Sequence, residues 1–214
     1  MGVWNDGIAP RLTWAQLIAL SPSNYTQTKL FFVTDVGYNG SYWYSNGTKW
    51  VPLNGTIVLY AISSDVAHSG AATTEKLAEI TIPAGLIQNG DLIETHISVD
   101  TTNTGSSGSF YHKLGTTGTF AGDTTIGGVS QPSSTNLHGS ANKRWKRINS
   151  TTLRLTDVMG AGGLGTSGTA ALVSTTVVDL DTNITKLGIY FNESTGGVRV
   201  STMRNCVIEL IAGN

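Results

Sequence analysis

Carboxylate pairs are the first feature of this 214-residue chain that could do chemistry, because glycoside hydrolysis needs two carboxyl groups about 5–9.5 Å apart. The 14 acidic residues are scattered, and two pairs lie close in sequence, Asp91 with Glu94 and Asp179 with Asp181. Residues two apart on a strand share a face, so Asp179 and Asp181 could meet in space. The simpler interpretation is a strand that ends in a turn, and we therefore expect no catalytic residues.

Histidine spacing offers no metal site. His68, His96, His112 and His138 form neither an HxH nor an HxxxH pair, so the spacing of zinc ligands is missing. His96 and His112 lie on predicted strands that could be neighbours, and we expect them to pair on one sheet face. We therefore expect no bound metal.

Nucleophile and phosphate-loop motifs are missing as well. No GxSxG motif occurs, and GAGGLG lacks the Lys-Ser/Thr ending of a phosphate-binding loop. The single cysteine, Cys206, stands in NCVIEL, where apolar neighbours predict a small buried side chain rather than a reactive thiol. The chain is accordingly expected to use no cofactor.

One basic cluster occurs in the sequence NKRWKR. It comprises Lys143, Arg144, Trp145, Lys146 and Arg147. Basic residues interleaved with tryptophan can contact an acidic glycan or another polyanion. The alternative is an exposed loop that enters the strand RINSTTLRL, with its charges solvated or paired to another subunit. The net charge of -1 supplies no basic field, so we expect no nucleic-acid partner.

A short helix is predicted near the start of the chain, in TWAQLIAL. Thr13 can cap this helix, and Gln16 stands at the capping-box spacing. Trp14, Leu17 and Ile18 form its apolar stripe. About two turns of helix do not persist alone in water, so this segment must dock on other structure.

An aromatic β-unit follows the helix. LFFVTD is predicted to be a strand, and YNGSYWYSNGTKWVPL a hairpin with Asn46-Gly47 in a type I′ turn. Strand alternation places Trp43 on one face and Tyr42 and Tyr44 on the other. Because a lone hairpin is marginal in water, the unit needs a partner surface.

Two interpretations of these aromatic residues remain open. In the first, they pack the hairpin as a stiff connector to the next domain, since aromatic rings give large contact area. The connector residues are Phe32, Tyr42, Trp43, Tyr44 and Trp50. In the second, Tyr42, Trp43 and Trp50 are exposed as a platform that stacks on glycan rings.

From Thr56 onward the sequence shows many short strands separated by glycine-rich turns. In DLIETHISVD, polar residues such as Glu94 and His96 alternate with apolar ones such as Ile93 and Ile97. Such strands predict an all-β fold. We expect an antiparallel, jelly-roll-like β-sandwich over residues 56–214, preceded by the helix and hairpin of residues 1–55. The opening MGVWNDGIAP has neither the basic start nor the apolar run of a signal peptide, so we expect none. No apolar stretch approaches about 18 residues, so we expect no membrane insertion.

The run TKLFFVTDVGYNGSYWYSNGTKWVPLNGTIVL resembles a segment of bacteriophage tail-fibre and virion spike proteins. In that family a VFVTDVG strand precedes GSYWYSNGTRWRPVNG, which leads into a C-terminal β-sandwich. The matching pieces here are FVTDVG at 32–37, GSYWYSNG at 40–47 and Lys49-Trp50. EKLAEITIPAGLIQNGDLIE and the closing NCVIELIA also resemble strands of that sandwich. The long repetitive stalk of a tail fibre is absent from the sequence.

The resemblance implies a non-enzymatic component of the phage particle surface. It implies a short homotrimeric tail fibre or spike that adheres to the host by receptor binding and joins other virion proteins through its N-terminus. The residues expected to anchor it are Trp4, Trp14, Leu17 and Ile18. A host surface glycan, if bound, is expected at the basic cluster. The alternatives are a head fibre or capsid decoration and, in another class, a depolymerase that shortens a surface glycan.

Overall fold

Antiparallel strands make up most of the computed structural model. It describes residues 9–25, 29–37, 39–69, 74–102, 108–131, 136–161, 164, 174–193 and 200–213. The described chain begins with a small sheet unit and continues as a two-sheet sandwich. The all-β sandwich expected from the sequence is confirmed.

The described part of the small unit holds one helix, one 3-10 turn and four strands. Its elements are β1 (Arg11–Leu12), α1 (Trp14–Ile18), the 3-10 turn (Pro22–Asn24), β2 (Leu30–Val33), β3 (Ser41–Ser45) and β4 (Trp50–Pro52). The strands follow the order β1-β2-β3-β4, with β1 and β2 parallel and the other pairs antiparallel. The predicted hairpin is therefore half of a four-stranded sheet.

Helix α1 begins with the predicted capping box. The Thr13 hydroxyl accepts a hydrogen bond from the Gln16 backbone amide at 3.3 Å, and the Gln16 side chain accepts one from the Thr13 amide at 2.9 Å. The helix has only five residues, which is shorter than the predicted two turns. Its first amide, on Trp14, donates to the Asp35 carboxylate at 2.6 Å. This bond ties the helix to the end of β2.

The turn between β3 and β4 differs from the predicted two-residue type I′ turn. The last strand pair is Ser45 with Trp50, so the loop has four residues, Asn46 to Lys49. The Asn46 side-chain oxygen accepts hydrogen bonds from the amides of Thr48 and Lys49 at 3.0 and 2.9 Å. An asparagine side chain can replace a backbone acceptor in this way, and it closes a longer loop than the Asn-Gly pair predicts.

Within the described residues, eleven strands form the sandwich. They are β5 (Thr56–Ala61), β6 (Val66–Ser69), β7 (Thr74–Ile82), β8 (Leu92–Thr102), β9 (Gly108–Gly115), β10 (Thr124–Gln131), β11 (Asn136–Asn149), β12 (Thr152–Ala161), β13 (Ser174–Thr176), β14 (Thr185–Glu193) and β15 (Val200–Ile211). One sheet has the order β10-β9-β14-β7, and the larger sheet has the order β13-β12-β11-β8-β15-β5, with β6 also paired to β15.

The strand pairing is that of a jelly roll. Strand β5 pairs with β15, β7 with β14, β8 with β11 and β9 with β10, all antiparallel. The chain thus resembles one long hairpin whose paired strands are wound alternately into one sheet and the other. This is the double Greek key of jelly rolls. Strands β12 and β13 extend the larger sheet beyond β11.

The small sheet is docked on one end of the sandwich. The Trp14 indole donates to the Ala84 carbonyl at 2.9 Å, and the Lys49 ammonium lies 2.9 Å from the Asp91 carboxylate. The Gln88 amide donates to the Trp50 carbonyl at 3.1 Å. The buried apolar residues of both parts belong to one continuous cluster. The first sandwich strand begins at Thr56, directly after this junction.

Candidate functional site

The predicted basic cluster lies in the middle of strand β11, not in an exposed loop. Alternation turns Lys143, Trp145 and Arg147 into the sandwich, where each is at most 2% exposed. Arg144 is half-buried and Lys146 is exposed on the opposite face. The five residues therefore form no contiguous exposed patch, and the expected loop is wrong. A glycan at this strand can reach only Arg144 and Lys146.

Arg147 is held by backbone carbonyls inside the molecule. Its guanidinium donates to the carbonyls of Ile87 and of Asn149, the latter at 3.0 Å, and to the Asp181 carboxylate at 2.7 Å. A rigid fork of donors suits several acceptors at once. Asp179 accepts from the Asp181 amide at 2.9 Å, so this acidic pair belongs to a turn, as the simpler sequence interpretation holds.

Lys143 lies between the sheets beside His112. The His112 ring is hydrogen-bonded to the Thr95 hydroxyl at 3.0 Å and is 5.2 Å from the Trp145 ring. Burial lowers the pKa of Lys143 to about 8. Burial, and then the Lys143 charge, lower the pKa of His112 to about 3. His112 is therefore neutral at physiological pH.

His96 and His112 do not pair, contrary to the sequence expectation. His96 is on β8 in the larger sheet and faces solvent, whereas His112 is on β9 in the other sheet and faces the core. In a jelly roll, two strands that follow each other in the sequence often belong to different sheets, as β8 and β9 do. Their closeness in the sequence therefore does not show that they pair. Cys206 is buried as predicted, and burial raises the pKa of its thiol to about 12.

A charged row crosses the solvent face of the larger sheet. Glu94 on β8 pairs directly with Glu209 on β15, and the Arg144 guanidinium donates two hydrogen bonds to one Glu94 oxygen, at 2.9 and 2.6 Å. His96 Nε2 lies 3.3 Å from Glu94 and 3.7 Å from Glu209. Like charges opposite each other destabilise a sheet, and the Arg144 guanidinium compensates this pair.

This row was not recognised in the sequence. The alternation of Glu94 and His96 along β8 was a usable signal for an outward polar face, but the partners come from β11 and β15. Glu94 is occupied by Arg144. Asp91, which forms a candidate carboxylate pair with Glu94 in the sequence, is 4% exposed. Its carboxylate binds Lys49 and the backbone amides of Gln88 and Gly213.

A second charged group lies further along the same face. The Asp100 carboxylate contacts His138 and Arg204, and Arg204 also contacts Asp65. Hydrogen bonds from His138 and then from Arg204 hold the pKa of Asp100 below its usual range. Asp100, His138 and Arg204 border a concavity of about 550 Å³. Its charges are satisfied within the chain.

A smaller groove of about 330 Å³ lies where the small sheet meets the sandwich. Its walls are the turn before β3, the turn between β4 and β5, and β5 itself. Tyr42, Leu53 and Val58 line it and are each more than one-third exposed. Asn39 and Asn54 also line this groove.

The predicted N-terminal site residues separate into buried and exposed groups. Trp14 and Leu17 are fully buried, whereas Ile18 is 45% exposed. Trp4 lies outside the described residues. Trp14 and Leu17 therefore serve packing within this chain, and Ile18 is the described member of the set that has access to another protein.

The predicted connector residues divide between the two faces of the small sheet. Trp43 and Trp50 are buried, while Tyr42 is exposed and packs against Phe32 with ring centroids 5.0 Å apart. Tyr44 is half-buried. The alternation predicted for Tyr42, Trp43 and Tyr44 is confirmed. A glycan platform that includes Trp43 and Trp50 is wrong, because neither ring reaches solvent.

Among the described residues, no group of three or more metal-ligating side chains is placed to hold an ion. His68 contacts the Glu75 carboxylate at 2.7 Å, with Glu193 3.8 Å from its other ring nitrogen. In the described part of the chain, no helix is long and apolar enough to cross a membrane.

Comparison with known proteins identifies no family. Neither the protein-family models nor the curated protein sequences match the chain. Among solved structures, it is similar to the CBM2 module of the evolved Dit of Lactobacillus casei BL23 phage J-1. That likeness has a TM-score of 0.34 and 14% identity, and it covers 64% of this chain and 69% of the module.

Two virus structures are similar at the same level. The infectious bursal disease virus Gx strain gives a TM-score of 0.37 and 12% identity over 82% of this chain and 42% of that chain. The Gt strain gives 0.34 and 12% over 83% and 41%. At such low identities and TM-scores, we draw no functional conclusion from these likenesses.

Proposed function

We propose that the chain is a non-enzymatic structural component of a bacteriophage particle, a short trimeric tail fibre or spike that adheres to the host surface. One observation carries the proposal. The aromatic segment, whose sequence resembles the connector of phage fibre proteins, folds as its own sheet and docks on the end of a jelly roll. This is the order of parts that the resemblance implies.

The solvent face of the larger sheet supports binding rather than turnover. A glycan-cleaving enzyme needs an acid and a second carboxylate in a groove around the sugar. Glu94 and Glu209 are adjacent, but Arg144 binds Glu94, and both stand on the face of a sheet. A depolymerase remains the alternative from another class, and it predicts that a purified capsule or lipopolysaccharide polymer is shortened by the protein.

The first experiment detects the chain in particles. An antibody raised against the purified chain should label phage particles isolated from the source culture, and immunogold microscopy shows whether the label lies on the tail or on the head. Label on the tail supports the fibre proposal. Label on the head supports the head-fibre or decoration alternative. Particles without label overturn the virion proposal.

The second experiment measures mass by light scattering. Three copies of the 22.5 kDa chain are expected in solution, because the resemblance to phage fibre proteins implies a homotrimer. Repeated copies also turn weak surface contacts into firm attachment. A monomer overturns the independent trimer and favours a module that assembles only on its virion partner.

A further inference from the structure

The groove at the junction of the small sheet and the sandwich concentrates exposed apolar surface. Six large hydrophobic side chains are exposed among the described residues, and three of them, Tyr42, Leu53 and Val58, line this one groove. Scattered surface apolar residues need no explanation, but a concave cluster indicates a binding site. Its volume of about 330 Å³ lies at the low end of ligand sites, about 300–1,000 Å³, so it suits a small unit.

The walls of the groove are set by the backbone. Gly37 and Gly40 have φ angles of 86° and 80°, which favour glycine. A Cβ at Gly40 would lie 2.5 Å from the Phe32 ring and 2.8 Å from the Val33 carbonyl oxygen. The turn therefore lies close against β2. The Phe32 ring in turn packs against Tyr42 and holds it at the rim of the groove.

The polar groups of the groove are neutral. Asn39, Asn54 and Thr56 line it, and no charged residue does among those that the structure describes. Within the described residues, the side-chain hydrogen bonds do not use these three groups, whereas the Ser41 hydroxyl at the same groove is occupied by Val36 and Trp43. The side-chain amides of Asn39 and Asn54 and the Thr56 hydroxyl, which share the groove with the Tyr42 ring, can therefore form hydrogen bonds to a ligand.

We propose that this groove binds a single neutral sugar unit of a glycan. A pyranose has an apolar C–H face that can stack on Tyr42 and a rim of hydroxyl groups that can bond to Asn39, Asn54 and Thr56. A charged ligand gains nothing from an uncharged lining, and a purely apolar one leaves the amides unused. The proposal deepens the host-adhesion function proposed above and rests on it for the origin of the glycan.

The test is saturation-transfer NMR of the full chain with methyl glycosides of glucose, galactose and mannose and with N-acetylglucosamine. At least one of these probes should receive saturation through its ring protons. Tyr42→Ala should weaken that binding by about tenfold, since stacking on the ring is lost. Tyr42→Phe keeps the ring and should bind nearly as well. Ile184→Ala, an exposed apolar site elsewhere, should change nothing.

A second variant guards against a folding defect of Tyr42→Ala. Leu53→Lys places a charge at the groove without touching the Phe32 contact, and it should also weaken binding while the thermal unfolding midpoint stays unchanged. Absence of saturation for every probe, or equal binding by Leu53→Lys, overturns the proposal. A lower mass of Leu53→Lys by light scattering also overturns it, because the groove is then a contact between copies. Particles that carry the chain while no sugar binds leave the virion proposal intact.

Discussion

The small sheet and strand β11 bury tryptophan in opposite surroundings. In the small sheet, Trp14, Trp43 and Trp50 are packed among other rings, with Trp14 and Trp43 centroids 4.9 Å apart. In β11, Trp145 is flanked by two inward cations, Lys143 and Arg147. Each of these four indoles still donates its N–H, to a carbonyl or a hydroxyl.

The difference shows two ways to fill a core. Rings that meet each other add interactions of about 0.5–1.5 kcal/mol beyond their burial, so the small sheet is stabilised by its own contacts. A buried cation is tolerated only where its donors are satisfied or where the pKa shifts. Arg147 follows the first route, through carbonyls of the connecting loops, and Lys143 follows the second.

The largest expected effect tests whether the small sheet and the sandwich are one cooperative unit. Trp14→Ala removes a buried ring and its bond to the Ala84 carbonyl, and it should lower the free energy of unfolding by about 3–5 kcal/mol. Chemical denaturation followed by circular dichroism measures this. Ile18→Ala, on the same helix but exposed, should change it by less than about 0.5 kcal/mol. Two separate unfolding transitions in the parent protein would show that the small sheet and the sandwich do not unfold as one cooperative unit.

Arg147 is expected to be the most important charge of the core. Arg147→Ala leaves the carbonyls of Ile87 and Asn149 without their donor, and it should destabilise the fold by about 3 kcal/mol. Arg147→Lys keeps the charge but not the fork of donors, so it should recover only part of this loss. Lys146→Ala, the exposed neighbour on β11, is the matched control in the same denaturation series. Equal effects of Arg147→Ala and Lys146→Ala would show that the inward bonds are dispensable.

Lys143 should respond in the opposite direction. Lys143→Met replaces a buried ammonium that has no carboxylate partner among the described residues, so it should stabilise the protein at pH 7 by about 1 kcal/mol or more. The folded pKa of Lys143 is about 8, below its ordinary 10.5. The unfolded state therefore binds more protons between these values, and this group adds stability as the pH rises from 8 to 10.5.

The pH series separates this effect from other titrations. The advantage of Lys143→Met over the parent protein should be largest at pH 7 and should shrink by pH 9.5, as measured by denaturation at each pH. Comparison of the two proteins cancels the groups that both share. An advantage that stays constant with pH would show that Lys143 acts through packing alone.

The smallest expected effect concerns the four-residue loop of the small sheet. Asn46→Ala removes the acceptor for the amides of Thr48 and Lys49 and should cost about 1 kcal/mol in unfolding free energy. Asn46→Asp retains an acceptor oxygen and should lose much less. Equal losses for the two variants would mean that the loop depends on the amide nitrogen rather than on the oxygen.

The sequence predicted the small sheet better than it predicted the sandwich. The capping box at Thr13 and the alternation around Trp43 were both correct, because each depends on residues a few positions apart. Strand β11 was not predicted as a strand, although it is the longest of the described strands. Its four cationic residues predict an exposed segment. That prediction fails because the opposite sheet buries Lys143 and Arg147, which lie on the inward face of the strand.

The charged rows on the larger sheet were likewise outside the reach of sequence reasoning. Glu94, Arg144 and Glu209 lie on three strands far apart in the chain and meet only through the strand order β11-β8-β15. The groove at Tyr42 joins residues from two units in the same way. Contacts of this kind depend on the topology, which no local pattern specifies.

By itself, the sequence determined the class of fold, the capping box of helix α1 and the alternation of side chains along β3. Glycine-rich turns and alternation sufficed for an all-β sandwich, since both follow from backbone geometry over a few residues. The tertiary structure alone decided which side chains share a surface. It buried Lys143 and Arg147, left Tyr42 at a groove, and paired Glu94 with Glu209. The physical reason is that a jelly roll brings together strands from opposite ends of the chain.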